Sequence, residues 1–480
     1  MPVILVTLSL TAVLIVWLGV LGSVGAAVFG HLTQHIGGHL QQVPWLPVWV
    51  IILVALIFML SAADMTSLSL HPFYRARLAR TFAVRRFVTD SRGNGAAVCK
   101  ARPYPEEEPT WLHAYGKVEG GPEFVFAAAA TVSGDAKPAP GLNAVSYVFN
   151  EKYIGGPELG WLKTEQLWRA CPPRLKRDLT VEAAVAVSGA AFASSMGRQD
   201  NGFQTLLCLS GARLGTWLPN PNYVDLLRNT TSQRDQAASP DGAEPAPVPP
   251  ASGPRYLLLR SLPTVRGFTY FYRELLGRHP IDASLVQVTD GGHYENLGLV
   301  EALRRRCRLI FCIDGSGDPP PLLCGLADAI RLAQSELGVE IELEDSGDYG
   351  VQNLAPGSGV PFSETNAFAR LNSRITNGTV VRGRITYPAA SGLPVEQRTG
   401  TLIFAKAVLW QGCPDWLLTY GAGSEVFPHD STSDQWFNEG QFAAYTELGR
   451  LLGRNAVEVL TAPPLPAEVT KFASGAACGT

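Results

Sequence analysis

The chain reads as an α/β protein, a parallel-containing sheet with flanking helices, preceded by a two-helix transmembrane hairpin. Two observations carry that reading. Over residues 283–344, short apolar runs alternate with amphipathic ones, each closed by its own stop signal. No formal charge occurs before Asp64, so all 39 basic and 42 acidic side chains fall behind two long apolar runs. The 480 residues are 46% hydrophobic and 17% charged, enough for one or two filled cores and incompatible with wholesale disorder. A formal net charge of -3 leaves no electrostatic footprint for nucleic acid, which drops out as a partner.

Residues 3–29 form an apolar run longer than the ~20 residues a helix needs to cross the hydrocarbon. A signal peptide is the competing reading, but a basic leading segment is missing and a second run follows at 45–62, with Trp45 and Trp49 suited to an interfacial belt. His31, His35 and His39 lie between the runs at i, i+4, i+8; they suit either a metal or a wet polar loop. Arginines from Arg75 to Arg86, with none on the other side, place the large C-terminal part in the cytoplasm. The expected organisation is therefore two membrane helices over 1–63 and a cytoplasmic domain over 64–480. A Pro-rich disordered insertion is expected at 229–254. Met1 stands two residues from the first apolar run, which suggests the C-terminal portion of a longer or split reading frame. The eight scattered cysteines read as buried thiols of a reducing compartment.

Within 64–480, strands are expected at 123–130 and 144–150, an Ala-rich helix at 181–195, and one or two helical turns within 162–176. Residues 285–289 form a strand ending in Asp290-Gly291-Gly292; Asn296 can cap a helix running to Arg306, and a second strand ends in Asp314-Gly315. A helix over 326–337, stopped by Gly338, leads to a third strand at 339–343. Short connections predict parallel pairing, with Asp290 and Asp314 both at carboxyl ends of parallel strands, where open α/β sheets place their ligands. A hairpin at 380–387 and 401–409 and a terminal helix at 435–452 complete the chain.

Asp290 suits a general base: a carboxylate at a strand end, followed by glycines that let a ligand approach the backbone. Equally, it can cap the amides of a helix-opening turn. Asp314 and Asp318 suggest a metal or a phosphate, or simple turn chemistry. His293 and Glu295 lack the i, i+4 spacing of a helical zinc pair and read as loop or substrate-edge groups. No metal site or cofactor is expected. The chain has neither a Gly-x-Ser-x-Gly elbow nor three consecutive glycines; Ser188 is the nearest candidate nucleophile, but reads first as a small residue on a packed helix face.

Residues 290–299, Asp-Gly-Gly-His-Tyr-Glu-Asn-Leu-Gly-Leu, then Arg304-Arg305-Arg306-Cys307 and the strand into Asp314-Gly315-Ser316, resemble the C-terminal catalytic segment of bacterial patatin-like phospholipase membrane proteins, relatives of the cytosolic phospholipase A fold. The resemblance extends over residues 69–75, 153–157, 188–191, 215–221 and 427–432. It implies a lipid acyl hydrolase with a Ser-Asp dyad in which Asp290 is the aspartate, with Gly291, Gly292, His293, Asn296 and Asp314 supporting the substrate loop. The family's nucleophile and triple-glycine oxyanion loop lie in a segment ahead of the membrane spans, so the resemblance implies half a site, completed by an upstream segment or a separate chain, with membrane lipid as substrate. A non-catalytic membrane scaffold or pseudoenzyme on the same fold is the alternative.

Overall fold

The structure is a computed structural model that describes residues 22, 63–90, 97–105, 108–117, 119–133, 143–193, 207–208, 210–237, 261–318, 320, 323–431, 434 and 437–462. The chain divides into two units, Met1–Ala62 and Ala63–Thr480, and every element below belongs to the second. No helix among the described residues is long and apolar enough to cross a membrane. Apart from residue 22, both apolar runs expected to form the hairpin, and the three histidines between them, lie outside the described residues.

In chain order the elements are α1 (His71–Phe82), β1 (Val84–Asp90), β2 (Ala97–Pro103), β3 (Val125–Thr131), β4 (Ala144–Asn150), β5 (Tyr153–Gly156), β6 (Gly160–Lys163), α2 (Thr164–Ala170), α3 (Val181–Ser188), β7 (Thr216–Pro219), α4 (Pro221–Ala237), α5 (Phe268–Leu275) and β8 (Leu285–Asp290). Then follow α6 (Leu299–Arg304), β9 (Leu309–Asp314), α7 (Cys324–Leu332), β10 (Glu340–Leu343), β11 (Val380–Thr386), β12 (Thr399–Lys406), α8 (Asp415–Gly423) and α9 (Glu439–Glu458). The result is a mixed α/β fold. β1 and β2 pair with each other; six strands form an antiparallel sheet in the order β6-β5-β4-β3-β8-β7; four form a second sheet, β10-β11-β12-β9, in which β12 and β9 run parallel.

The strands at 285–290, 309–314 and 340–343 therefore form where the periodicity puts them, but they do not pair with one another. β8 already has β3 and β7 on its two edges, β9 takes β12, and β10 takes β11. Short connections force neighbouring strands only when both belong to one sheet; here α6 carries the chain from the first sheet to the second. Asp290 accordingly ends an antiparallel strand, and Asp314 alone ends a parallel one. The expected hairpin is present as β11 and β12.

Three boundaries also shift. Helix α3 begins where Thr180 accepts from Ala183 N at 3.2 Å and ends at Ser188 rather than 195, with Gly189 at its C-cap. Helix α4 runs through Ala237, so the predicted disordered insertion begins as helix; its first proline is Pro240, and residues 238–254 lie outside the described residues. The terminal helix spans Glu439–Glu458 because Asn438, whose side chain accepts from Gln441 N at 2.8 Å, sets its start. The buried-thiol expectation fails at Cys324, which is disulfide-bonded, and at Cys307, which is free but only part-buried; Cys171, Cys208, Cys312 and Cys413 are free and buried.

The six-stranded sheet packs around Tyr147, Phe149, Ile154, Trp217 and Leu218. The second sheet is buried on both faces: Leu402 and Phe404 of β12 face one cluster, and Ile403 and Ala405 face the other, with residues of α8 and α9. That explains why β12 reads as an almost continuous apolar run. The edge strand β9 differs, with Ile310 and Cys312 buried but Leu309, Phe311 and Ile313 exposed at 40–47%.

The start of this unit is clamped from inside. Buried Arg266 donates from Nε to Asp64 at 3.1 Å and also binds Asp178 and Thr216, while Arg75 of α1 reaches Asp178 at 2.7 Å. Burial alone would raise the Asp178 carboxyl, but Arg266, with His71 and Arg75 beside it, holds it well below the usual carboxylate range.

Candidate functional site

At the end of β8 the chain turns through Gly291–His293, and the Asp290 carboxylate accepts from Gly292 N at 2.6 Å. This is the only hydrogen bond to that carboxylate among the described residues. The two glycines are dictated by close approach: a Cβ on Gly291 would stand 2.8 Å from the Ala127 carbonyl oxygen of β3, and one on Gly292 would stand 2.6 Å from Asn296 Oδ1. Asn296, exposed, thus leans over the turn. It does not cap α6. Gly298 occupies the N-cap position at φ 67° and has no side chain to offer, so the buried Glu295 reaches forward to accept from Leu297 N at 2.5 Å and Val300 N at 3.1 Å.

Burial lifts the Asp290 carboxyl to about 6, the Gly292 amide opposing only in part. Asp290 thus fills the capping role its sequence allows, with its carboxyl held above the usual carboxylate range by burial. His293 is buried; its Nδ1 lies 2.9 Å from Thr289 Oγ1, and burial lowers it to about 4, the Ala191 backbone opposing. It braces the turn as a neutral ring.

Ser188 ends α3 and donates from Oγ to the Ala127 carbonyl at 2.6 Å. Ala127 is the same residue whose backbone Gly291 approaches, so Ser188 reaches the Asp290 turn but spends its proton on β3. A nucleophile would instead hydrogen-bond to the base. The group missed by sequence reasoning is Tyr74 of α1, whose hydroxyl donates to Gly189 O at 3.3 Å. Burial, and then the charge of Asp290, raise its pKa. Its signal lies within residues 69–75, a stretch that the resemblance covers without implying a role for Tyr74.

Asp314 is held differently. Lys406 of β12 stands directly opposite it in register, is 0% exposed, and donates from Nζ to Asp314 Oδ2 at 3.0 Å and to Ser316 O at 3.0 Å. The other carboxylate oxygen accepts from Ser316 N at 2.8 Å, while Asp318 accepts from Gly325 N at 2.8 Å at the start of α7. These are turn and capping contacts, not a ligand cradle, and no group of three or more His, Cys, Asp or Glu among the described residues is placed to share a metal ion. A shallow recess nearby is lined by Thr376, Glu425, Pro428, His429 and Arg374, but Arg374 is already bound to the carbonyls of Gly421, Ser424 and Phe427.

No protein-family model matches the chain, and no curated protein matches it.

Proposed function

We propose that this chain is the Asp-bearing part of a membrane-anchored lipid acyl hydrolase of the patatin-like kind, with Asp290 as general base. The observation that carries the reading is the Asp290 carboxylate itself: set on a double-glycine turn at a strand end, unpaired with any cation among the described residues, and lifted to about 6. A base with that pKa exchanges protons near neutral pH. It would take the proton of an attacking hydroxyl as that oxygen bonds to the ester carbonyl carbon. When the ester C–O bond breaks, the proton passes to the departing alcohol. Because Ser188 is committed to Ala127, the attacking hydroxyl comes from outside the described residues, within this chain or on another.

One observation favours the second reading, a non-catalytic membrane scaffold: no hydroxyl among the described residues donates to Asp290. Phospholipid hydrolysis by native membranes carrying the full chain separates the two. The enzyme reading expects Asp290→Asn to lower the rate about 10²–10⁴-fold. It also expects the wild-type rate to climb as pH rises through about 6, where the base form fills, and Ser188→Ala to leave fluorophosphonate labelling intact. Hydrolysis absent from native membranes, or indifferent to position 290, favours the scaffold. Labelling lost in Ser188→Ala would instead make Ser188 the nucleophile.

A further inference from the structure

We propose that Tyr294 is a positioning residue for Asp290: held between α6 and α7, it fixes the Gly291–His293 turn and keeps the carboxylate ahead of that turn out of water. The inference deepens the reading of Asp290 as general base and rests on it.

The turn has little of its own to hold it. Gly291 and Gly292 carry no side chain to pack, and His293 reaches Thr289 on the preceding strand and the backbone of Ala191. Tyr294 ties the turn to the two helices that follow. Its amide donates to Gly291 O at 3.0 Å, and the Glu295 amide donates to the same oxygen at 2.8 Å, so the backbone of the turn closes on Tyr294. The ring is 8% exposed and belongs to a small cluster with Ala129 of β3, Ala144 of β4, Val300 of α6 and Leu332 of α7.

The hydroxyl is fixed from both helices. It donates to Glu336 Oε2 at 2.7 Å and accepts from Arg304 Nη2 at 3.1 Å. Arg304 also binds that Glu336 oxygen at 3.1 Å and Glu301 Oε1 at 2.6 Å, and Glu301 accepts from Ser146 Oγ of β4 at 3.2 Å. The bonds thus run from the six-stranded sheet through α6 to the end of α7. Burial raises the Tyr294 phenol above its usual value, Arg304 opposing, so it keeps the proton that it donates. Glu336 lies in one π-helical turn, Ala333–Leu337, directly after α7; such wide turns are rare and gather at functional sites.

No atom of this network bonds to the Asp290 carboxylate among the described residues, so its effect passes through the turn. With Tyr294 held, burial keeps the Asp290 carboxyl at about 6. With Tyr294 released, water reaches the carboxylate and its pKa falls toward the ordinary value.

The test reads Asp290 through denaturant unfolding of the full chain, without needing turnover. The stability gained by Asp290→Asn grows as pH rises and levels off once pH passes the folded pKa. Levelling is expected near pH 6 in the parent chain. With Tyr294→Phe or Glu336→Ala added, it should come at about pH 5 or below, a tenfold or greater fall in proton affinity. Glu336→Gln keeps an acceptor for Tyr294 and Arg304 and should leave it near pH 6. Asn438→Ala, which removes the cap of α9, should weaken the fold and also leave it there. A levelling point that stays near pH 6 in Tyr294→Phe and Glu336→Ala, or that moves equally in Asn438→Ala, overturns the inference. A parent chain with no pH-dependent gain overturns both the inference and the reading of Asp290 beneath it. A levelling point that moves as expected, in a chain whose native membranes hydrolyse no phospholipid, upholds the role of Tyr294 and overturns the enzyme reading alone.

Discussion

Two strand ends in this molecule carry the same local sequence, an Asp followed by Gly, and the protein treats them in opposite ways. At Asp314 a fully buried lysine from the neighbouring parallel strand neutralises the carboxylate, and Ser316 satisfies its other oxygen. At Asp290 the flanking antiparallel strands bring no cation, and the carboxylate keeps one amide donor and a raised pKa. The motif does not decide whether the carboxylate is matched by a cation; the residue opposite in register does. Lys406 stands opposite Asp314, whereas Ala128 stands opposite Asp290.

The sharpest way to break this contrast is to remove the cation. Lys406→Met leaves Asp314 as a buried, uncompensated charge and should cost about 3–5 kcal/mol in denaturant unfolding, with Asp314→Asn in the same chain recovering part of it. A loss below about 1 kcal/mol would show that the pair does not anchor this edge of the sheet.

Asp290 should respond in the other direction. Its folded pKa is raised to about 6 from an unfolded value near 3.9, so the protonated form is the one that folding favours. Its contribution is full below about pH 4 and is lost as pH rises through 6. Asp290→Asn, which keeps an acceptor for Gly292 N, should therefore stabilise the chain by about 1–3 kcal/mol at pH 8 and leave it nearly unchanged at pH 4. Stability profiles of the two chains that run parallel from pH 4 to 8 would remove the basis for an uncompensated carboxylate. The smallest effect belongs to Ser188→Ala. Losing its bond to Ala127 should cost about 0.5–1.5 kcal/mol and leave the pH profile as it was; a profile that moves would mean Ser188 is coupled to Asp290 after all.

What the sequence made legible was local. Residues 285–290 and 309–314 announce themselves as strands by their apolar runs, and the Asp-Gly pairs announce turns, because both signals are complete within about ten residues. Pairing was not legible, since β8 finds β3 about 160 positions upstream and β9 finds β12 about 90 downstream, distances over which periodicity carries no information. The same limit hid Lys406 behind Asp314. At α6 the error was local: Asn296 has the right chemistry for a cap, but the left-handed Gly298 moves the helix start two residues on, where only the longer Glu295 reaches the amides. Tyr74 was obscured because its meaning depends on a helix packing against α3, which no motif in its own neighbourhood encodes.

The Arg266 clamp has a consequence for biosynthesis. Asp64 and the guanidinium that closes over it are separated by 202 positions. At ~5–20 residues per second, a ribosome needs roughly 10–40 s to make the second after the first. Throughout that interval the segment leading into α1 exists without its final counterion, and β3 waits almost as long for β8. The first residues of this unit to be synthesised are thus among the last to be locked, and a nascent chain halted short of residue 266 would hold residues 64–70 unclamped at the head of an unfinished domain.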